Sequence, residues 1–402
     1  IAIFIGLTLS SEEIIKDRKI LKREAFLNLS WGSYLFSKVA VMLLISAIQA
    51  LTFVLVGNSI IEIKGMFLFY WLLLFSAWAS SNIMGLLISD SFKTVVTIYI
   101  LIPFLVIPQI MLSGVMVKYE KLNPKISSPS KIPWYGEMMV ARWGYEALAV
   151  HQFMENKYDK IFYQDNRVMS LAEYKKNYWI KNLQNKIDFL SKNYEDPQYR
   201  TKNENSLTLL RNELSKELVF LKSLHNNAIQ NIQYPYIDSL YLGTVNARIL
   251  AKTDSLTRLI NRVYIKIYNE ANDRRDNLIR QMQKTPKEKE AFRKLKSEYH
   301  NDKLTEFVEN NNEIVRIIEY KGRLYQKIDP IYMTPESRFL KAHFYAPYKR
   351  LFGKLHDTFW VNTLVIWGFS VVMFIMLYFR LLKKLLDFIE QTVERLRPNP
   401  EE

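Results

Sequence analysis

Four stretches of the chain, Tyr34–Val56, Met66–Ser89, Thr94–Val117 and Phe359–Leu382, run for 23 or 24 residues each with almost no charge. At about 1.5 Å of rise per residue, a helix of that length crosses the ~30 Å of hydrocarbon in a bilayer. Within lipid every backbone amide must find its partner inside the protein, so uncharged runs of this length imply membrane-spanning helices. A purely soluble fold is excluded. The reading is an all-α membrane protein built on a helix bundle.

Residues 118–357, between the third and fourth stretches, are polar, rich in Asn, Lys and Tyr, and long enough for a domain of their own. They hold 42 Lys and Arg against 29 Asp and Glu, so +13 of the chain's formal +15 lies there. Orientation follows from the short loops, because long translocated segments escape the positive-inside rule. Residues 11–33 carry Lys16, Arg18, Lys19, Lys22 and Arg23; Lys93 follows the second span, and Arg380, Lys383 and Lys384 follow the last. The short loop 57–64 offers only Lys64, offset by Glu62. This pattern puts 11–33, 89–94 and 383–402 in the cytoplasm and 118–357 outside it. Ile1–Leu9 reads as the end of a truncated membrane helix. The chain has no Cys, hence no disulfide, thiolate metal site or thiol nucleophile. A multi-pass protein of a bacterial inner membrane is expected.

Inside the third stretch, Pro103 and Pro108 remove two backbone donors, which suits either a packing kink or a bent helix lining a pathway. Gln49, Asn82 and Gln109 are expected to face protein, as interhelical hydrogen-bonding groups or as pathway lining. Lys38, Asp90 and Lys93 lie at span ends, where long side chains reach the interface.

Residues 11–31 alternate charge with Ile14, Ile15, Ile20, Leu21 and Phe26 at helical spacing, behind a serine cap. Such a helix can simply rest among headgroups. The run Glu-Glu-Ile-Ile-Lys-Asp-Arg-Lys-Ile-Leu-Lys-Arg-Glu at 12–24, followed by Tyr34-Leu35-Phe36-Ser37-Lys38, also resembles the coupling helix and next span of the G-subfamily (ABC-2 type) ATP-binding cassette exporters. A second match is Leu112-Ser113-Gly114-Val115-Met116-Val117, then Ile132-Pro133-Trp134-Tyr135 and Ala141–Leu148 with Gln152-Phe153. That order is similar to the close of the family's fifth helix and its re-entrant outer segment. The resemblance covers about residues 1–158 and 357–384.

The resemblance implies a layout: a helix end at 1–10, a coupling region at 11–33, three spans within 34–117, a re-entrant segment at 118–158, an enlarged outer loop at 159–357, a last span at 358–382 and a cytoplasmic tail. It implies the transmembrane part of an exporter whose ATP and Mg sit on a nucleotide-binding domain, fused upstream or separate. A second copy of the transmembrane domain would complete the path. Coupling residues would be Glu12, Glu13, Lys16, Arg18, Lys19, Lys22, Arg23 and Glu24. The gate and path would draw on Pro103, Pro108, Gln109, Ser113, Val115 and Met116, the last two standing where the family favours Leu pairs. Glu137, Arg142 and Glu146, at five- and four-residue steps, form a candidate polar cluster on the re-entrant segment, either an ion pair or a proton- or substrate-linked group.

Periodicity in 159–357 predicts mostly helices: one capped by Ser170-x-x-Glu173, one over 204–226 with a leucine seam, one over Asn246–Lys284, and one from Thr285-Pro286 to about Asn310. Ile314–Tyr320 and Arg323–Ile328 read as a hairpin around Lys321-Gly322, and Phe339–Phe352 as a last amphipathic piece. The basic charges alternate with acids, which favours a solvated face over nucleic acid; an envelope protein or polyanion remains open as partner. No Gly-x-x-x-x-Gly-Lys-Ser/Thr is present, and the five histidines are dispersed without a metal-binding spacing. Two functions stand: an exporter permease in contact with membrane lipids, or a membrane-anchored mechanotransmission or signalling module that moves no substrate.

Overall fold

A computed structural model describes residues 1–24, 30–116, 119, 131–223, 234–337 and 339–396. The chain divides into a membrane unit, residues 1–152, 335–344 and 348–402, and a second unit, residues 153–334 and 345–347.

The membrane unit begins with α1 (Ala2–Ser10), the charged α2 (Glu13–Glu24) and the long apolar α3 (Trp31–Ile61). Next come α4 (Phe67–Ser91), α5 (Val95–Met111), the single turn α6 (Trp134–Glu137) and α7 (Val140–Glu155), in which the boundary between units falls. Among the described residues α3, α4 and the later α14 (Thr358–Tyr378) are long and apolar enough to span a membrane, and α5 is a shorter apolar helix.

Helix α4 is the hub, packing against α1, α3 and α14. Its run of small residues, Ser76, Ala77, Ala79, Ser80, Ser81 and Gly85, is buried and lets neighbours approach closely, which is what holds helices together where lipid supplies no hydrophobic drive. A Cβ at Gly85 would stand 2.0 Å from Ser10 Oγ and 3.0 Å from the Leu7 carbonyl. Polar links cross the same contacts: Ser81 Oγ donates to the Ile3 carbonyl at 2.5 Å, Asn82 Nδ2 to Ser46 Oγ at 2.7 Å, and Trp367 Nε1 to Ser76 Oγ at 3.0 Å. Helix α3 turns Phe36, Val41, Leu44, Ile48 and Leu51 outward, an apolar exterior suited to acyl chains.

The third stretch read from the sequence ends early. The helix stops at Met111, because Ser113 Oγ turns back onto the Ile110 carbonyl at 2.7 Å and Gly114 takes φ +83°. Only glycine adopts that φ without strain, and a Cβ there would press on Tyr119 at 2.7 Å and Phe344 at 2.9 Å.

The second unit contains α8 (Asp159–Tyr174), which passes through a π turn at Lys175–Trp179 into α9 (Ile180–Asn193). It continues with α10 (Arg200–Ser223), α11 (Ala247–Gln281), α12 (Pro286–Tyr299) and α13 (Asp302–Glu309). Leu183, Ile187, Leu190, Leu207, Leu210, Leu214, Leu256, Ile260 and Tyr264 form its core. Two acids inside that core are fully engaged. Glu213 accepts Trp179 Nε1 at 2.7 Å and the Leu324 amide at 3.0 Å; Glu217 pairs with Lys175 and accepts Tyr264. Thr285, Pro286 and Glu288 cap α12 with a complete capping box, and Asn246 caps α11.

Three sequence expectations are corrected. Ser170 does not start a helix: α8 begins at Asp159, and the Ser170 hydroxyl donates to Asp329 Oδ2 at 2.7 Å. The helix from Pro286 breaks at His300, where Asn301 starts α13 by capping the Leu304 amide. Phe339–Phe352 holds no helix; it leads into β3 (Tyr348–Leu351), which pairs with β4 (Lys354–Asp357) across Phe352-Gly353, both at positive φ. Among the described residues there are therefore two hairpins, the other being β1 (Ile317–Tyr320) with β2 (Arg323–Gln326) around Lys321-Gly322, where the sequence places it. The end of the 204–226 helix, beyond Ser223, lies outside the described residues, as does Phe26.

Candidate functional site

Two polar clusters occupy opposite ends of the α4 span. At its C-terminal end, α2 lies across the last turn of α4. A helix end leaves four carbonyls without partners, and a cation there meets the negative end of the dipole. Arg18 fills that role, its guanidinium donating to the carbonyls of Ser89 at 2.9 Å, Asp90 at 2.8 Å and Phe92 at 2.5 Å. The amides of Ile14 and Ile15, orphan donors in the first turn of α2, both donate to Ser89 Oγ at 3.0 Å. Lys38 of α3 pairs with Glu13 and Asp17 at 2.9 Å each, and Tyr34 donates to Asp17 at 2.8 Å. Ile14, fully buried, packs with Leu35, Val39, Leu86, Leu87 and Leu377.

The eight coupling candidates of this segment thus divide. Glu13 and Arg18 are committed to the bundle, and Glu12 to Lys16 and Tyr99. Lys16, Lys19, Lys22 and Arg23 are exposed and give the free side of α2 a basic face. The Glu24 side chain lies outside the described residues. Asp17, Tyr34 and Ser89 belong to the latch and were not singled out from the sequence; the signal for Asp17 was its place one turn after Glu13, facing Lys38.

At the other end, α7, β3 and the first turn of α14 enclose a charge cluster. Arg142, Glu146, Lys349 and Asn362 are all 0% exposed. Glu146 Oε2 accepts Lys349 Nζ at 2.5 Å and Asn362 Nδ2 at 2.9 Å, and lies 3.3 Å from Arg142 Nη2. Arg142 Nη1 also donates to Glu137 at 3.2 Å, and Asn362 Oδ1 accepts Lys349 at 2.8 Å. The guanidinium lies 3.9 Å from the centre of the Trp143 ring, and Trp143 Nε1 donates to the Glu137 carbonyl at 2.7 Å. Two cations against two carboxylates make the cluster neutral.

Burial pushes the Glu146 carboxyl up, but Arg142 and Lys349, with hydrogen bonds from Lys349 and Asn362, outweigh it and hold it below the ordinary range. Lys349 is brought down to about 8 by burial and by the repulsion of Arg142, which Glu146 only partly offsets. Burial leaves Glu137 raised in spite of Arg142. Spacing along the chain placed Glu137, Arg142 and Glu146 on one segment, and the fold does bring them together. It gave no hint of Lys349 and Asn362, which arrive from 203 and 216 positions further on.

The candidate path residues lie in α5 and in the turn that follows it. Pro103 and Pro108 sit inside α5, and Gln109 Oε1 accepts the Ala141 amide at 3.0 Å, tying α5 to α7. Ser113 is buried in the turn after α5, whereas Val115 and Met116 are exposed. Among the described residues no group of three or more His, Asp or Glu could hold a metal ion.

Residues 1–153, which include α1 to α5 and nearly all of α7, match the family model described as ABC-2 type transporter. No curated protein and no solved structure matches the chain.

Proposed function

We propose that the chain is the membrane part of an ATP-driven exporter of the ABC-2 kind, close to its G-subfamily. Its second unit would fill an enlarged last loop on the far side of the membrane from the ATPase. The observation that carries this reading is the seating of α2. It is latched by Arg18 and Ser89 to the hub helix and by Lys38 to α3, within the residues that match the ABC-2 model. A helix held that firmly on one side and basic on the other is a lever: a push on its free face moves α4 with it. Lys16, Lys19, Lys22 and Arg23 are the residues that would meet a nucleotide-binding domain, which carries ATP and Mg, while Glu13 and Arg18 transmit the movement inward. A second copy of the membrane unit would supply the other wall of the path, with Pro103, Pro108 and Gln109 of α5 and Ser113, Val115 and Met116 beyond it as lining or gate. The cluster of Glu137, Arg142 and Glu146 with Lys349 would fix the re-entrant segment against the last span.

The test is vanadate-sensitive ATP hydrolysis by the natural-length protein with its ATPase, compared with a Lys19→Glu, Lys22→Glu, Arg23→Glu variant. The expected result is hydrolysis in the parent and its loss or uncoupling in the variant, with nucleotide binding retained. Hydrolysis and transport that ignore the three reversals would overturn the contact. Absence of any ATPase, with the second unit still capturing an envelope protein, would favour the anchored signalling module.

A further inference from the structure

The last described helix, α15 (Leu381–Leu396), has no role in the exporter reading, and most of its apolar side is uncovered, with Leu382 at one edge packed on the bundle. Leu381, Leu385, Phe388, Ile389 and Val393 are exposed by 46, 54, 66, 47 and 51%. At 100° per residue they fall within an arc of about 140°, and Lys383, Lys384, Asp387 and Glu390 fall outside it. Only Phe379 and Arg380 separate this helix from the end of the α14 span, and Arg380 turns the chain through φ +53°.

Two contacts set the direction of α15. Arg380 Nε lies 3.6 Å from Asp90 Oδ2, and Glu390 accepts Lys93 at 2.5 Å. Residues 380 and 390 are about 15 Å apart along a helix axis, yet both are held at the connection between α4 and α5. The axis therefore runs across the end of the bundle instead of continuing α14 away from it. Exposed apolar residues also follow one another along the chain from the span, Val371, Val372, Ile375 and Phe379, to Leu381 and Leu385.

We propose that α15 lies in the membrane interface at this end of the bundle, its stripe of Leu381, Leu385, Phe388, Ile389 and Val393 sunk into the bilayer surface. The occupant of the stripe is lipid, the same solvent that covers α14. The two lysines and two acids at 383, 384, 387 and 390 balance, so apolar burial and not headgroup charge holds the helix down. Lys93 and Arg380 then act as posts that set its depth relative to α4.

The chain has no cysteine, so single cysteines can be read without background. Nitroxide labels at Leu385→Cys, Phe388→Cys and Val393→Cys, and at the exposed polar positions Lys384→Cys and Gln391→Cys, would be placed in the 402-residue chain. The protein is then reconstituted into phosphatidylcholine vesicles with and without phosphatidylglycerol. Collision with oxygen, which concentrates in lipid, is compared with collision with a water-soluble nickel chelate. The first three labels should meet oxygen and be shielded from nickel, the other two should show the reverse, and the lipid charge should change neither. Apolar-side labels open to nickel would place the stripe in water. Labels shielded from both reagents would mean that protein, an ATPase or a second copy, covers it. Either outcome overturns the proposal, and the five exposed positions do not depend on one variant folding.

Discussion

Glu146 faces two buried cations, so the partner removed decides the imbalance left behind. Glu146→Gln strands Arg142 and Lys349 together without their shared counter-charge, and should cost about 3–5 kcal/mol. Lys349→Met leaves Glu146 still paired with Arg142 and should cost less. Thermal unfolding of the full chain in detergent gives the order; equal losses would mean that the cluster acts as packing and not as a charge balance. A second residue tests pH. His300 Nδ1 bonds Asp159 at 2.8 Å, and this bond raises the imidazole above its ordinary value, with burial opposing. A folded value above the unfolded one stabilises fully below the unfolded value, near pH 6.5, and that contribution fades as pH rises through the folded value. His300→Ala should therefore lower the unfolding midpoint of the second unit more at about pH 6 than at about pH 9. A gap that does not change with pH would remove the charge from the account.

At the scale of elements, the latch of α2 rests on one side chain with three carbonyl partners. Hydrogen bonds from a charged donor are worth roughly 1.5–3 kcal/mol, so Arg18→Gln should loosen the whole helix. Amide hydrogen exchange over residues 13–24 should quicken in that variant and stay unchanged in Lys22→Gln, which sits on the exposed side; equal exchange in both would show that Ile14 packing alone holds α2. The helix itself was legible, since Ile14, Ile15 and Leu21 recur at helical steps among charges. Which charges point inward was not. That depends on Ser89 and on the open carbonyls of α4, more than 70 positions away. The same limit explains Phe339–Phe352, where apolar residues recur at a helical interval but tertiary contacts decide. The Leu340 amide bonds the Arg350 carbonyl at 2.9 Å, and Phe344 packs on Tyr119. The Phe352-Gly353 pair was the local signal for a hairpin, as Lys321-Gly322 was for the first. Ser170 shows the converse error, a capping motif whose serine is used instead by Asp329.

For the whole molecule, the boundary read from hydropathy and the boundary set by packing differ. Apolar runs end the polar insert at residue 357, because β3 and β4 carry Lys349, Arg350, Lys354 and Asp357 and look like loop. In the fold, 335–344 and 348–402 belong to the membrane unit. There Phe344 closes on Tyr119 and Tyr145, and Lys349 completes the charge cluster around Glu146. Two excisions, each bridged by a flexible Gly/Ser linker, separate these boundaries. Removal of 160–334 spares Phe344 and Lys349 and should leave a membrane unit that inserts, stays monodisperse in detergent and, if the exporter reading holds, still hydrolyses ATP with its partner. Removal of 160–357 deletes the lysine that Glu146 holds and the ring over Gly114, and should yield protein that aggregates on extraction. Size-exclusion profiles of the two deletions decide the matter. Equal behaviour would mean that the segment 335–357 serves the second unit after all, and that the buried cluster is dispensable to the bundle.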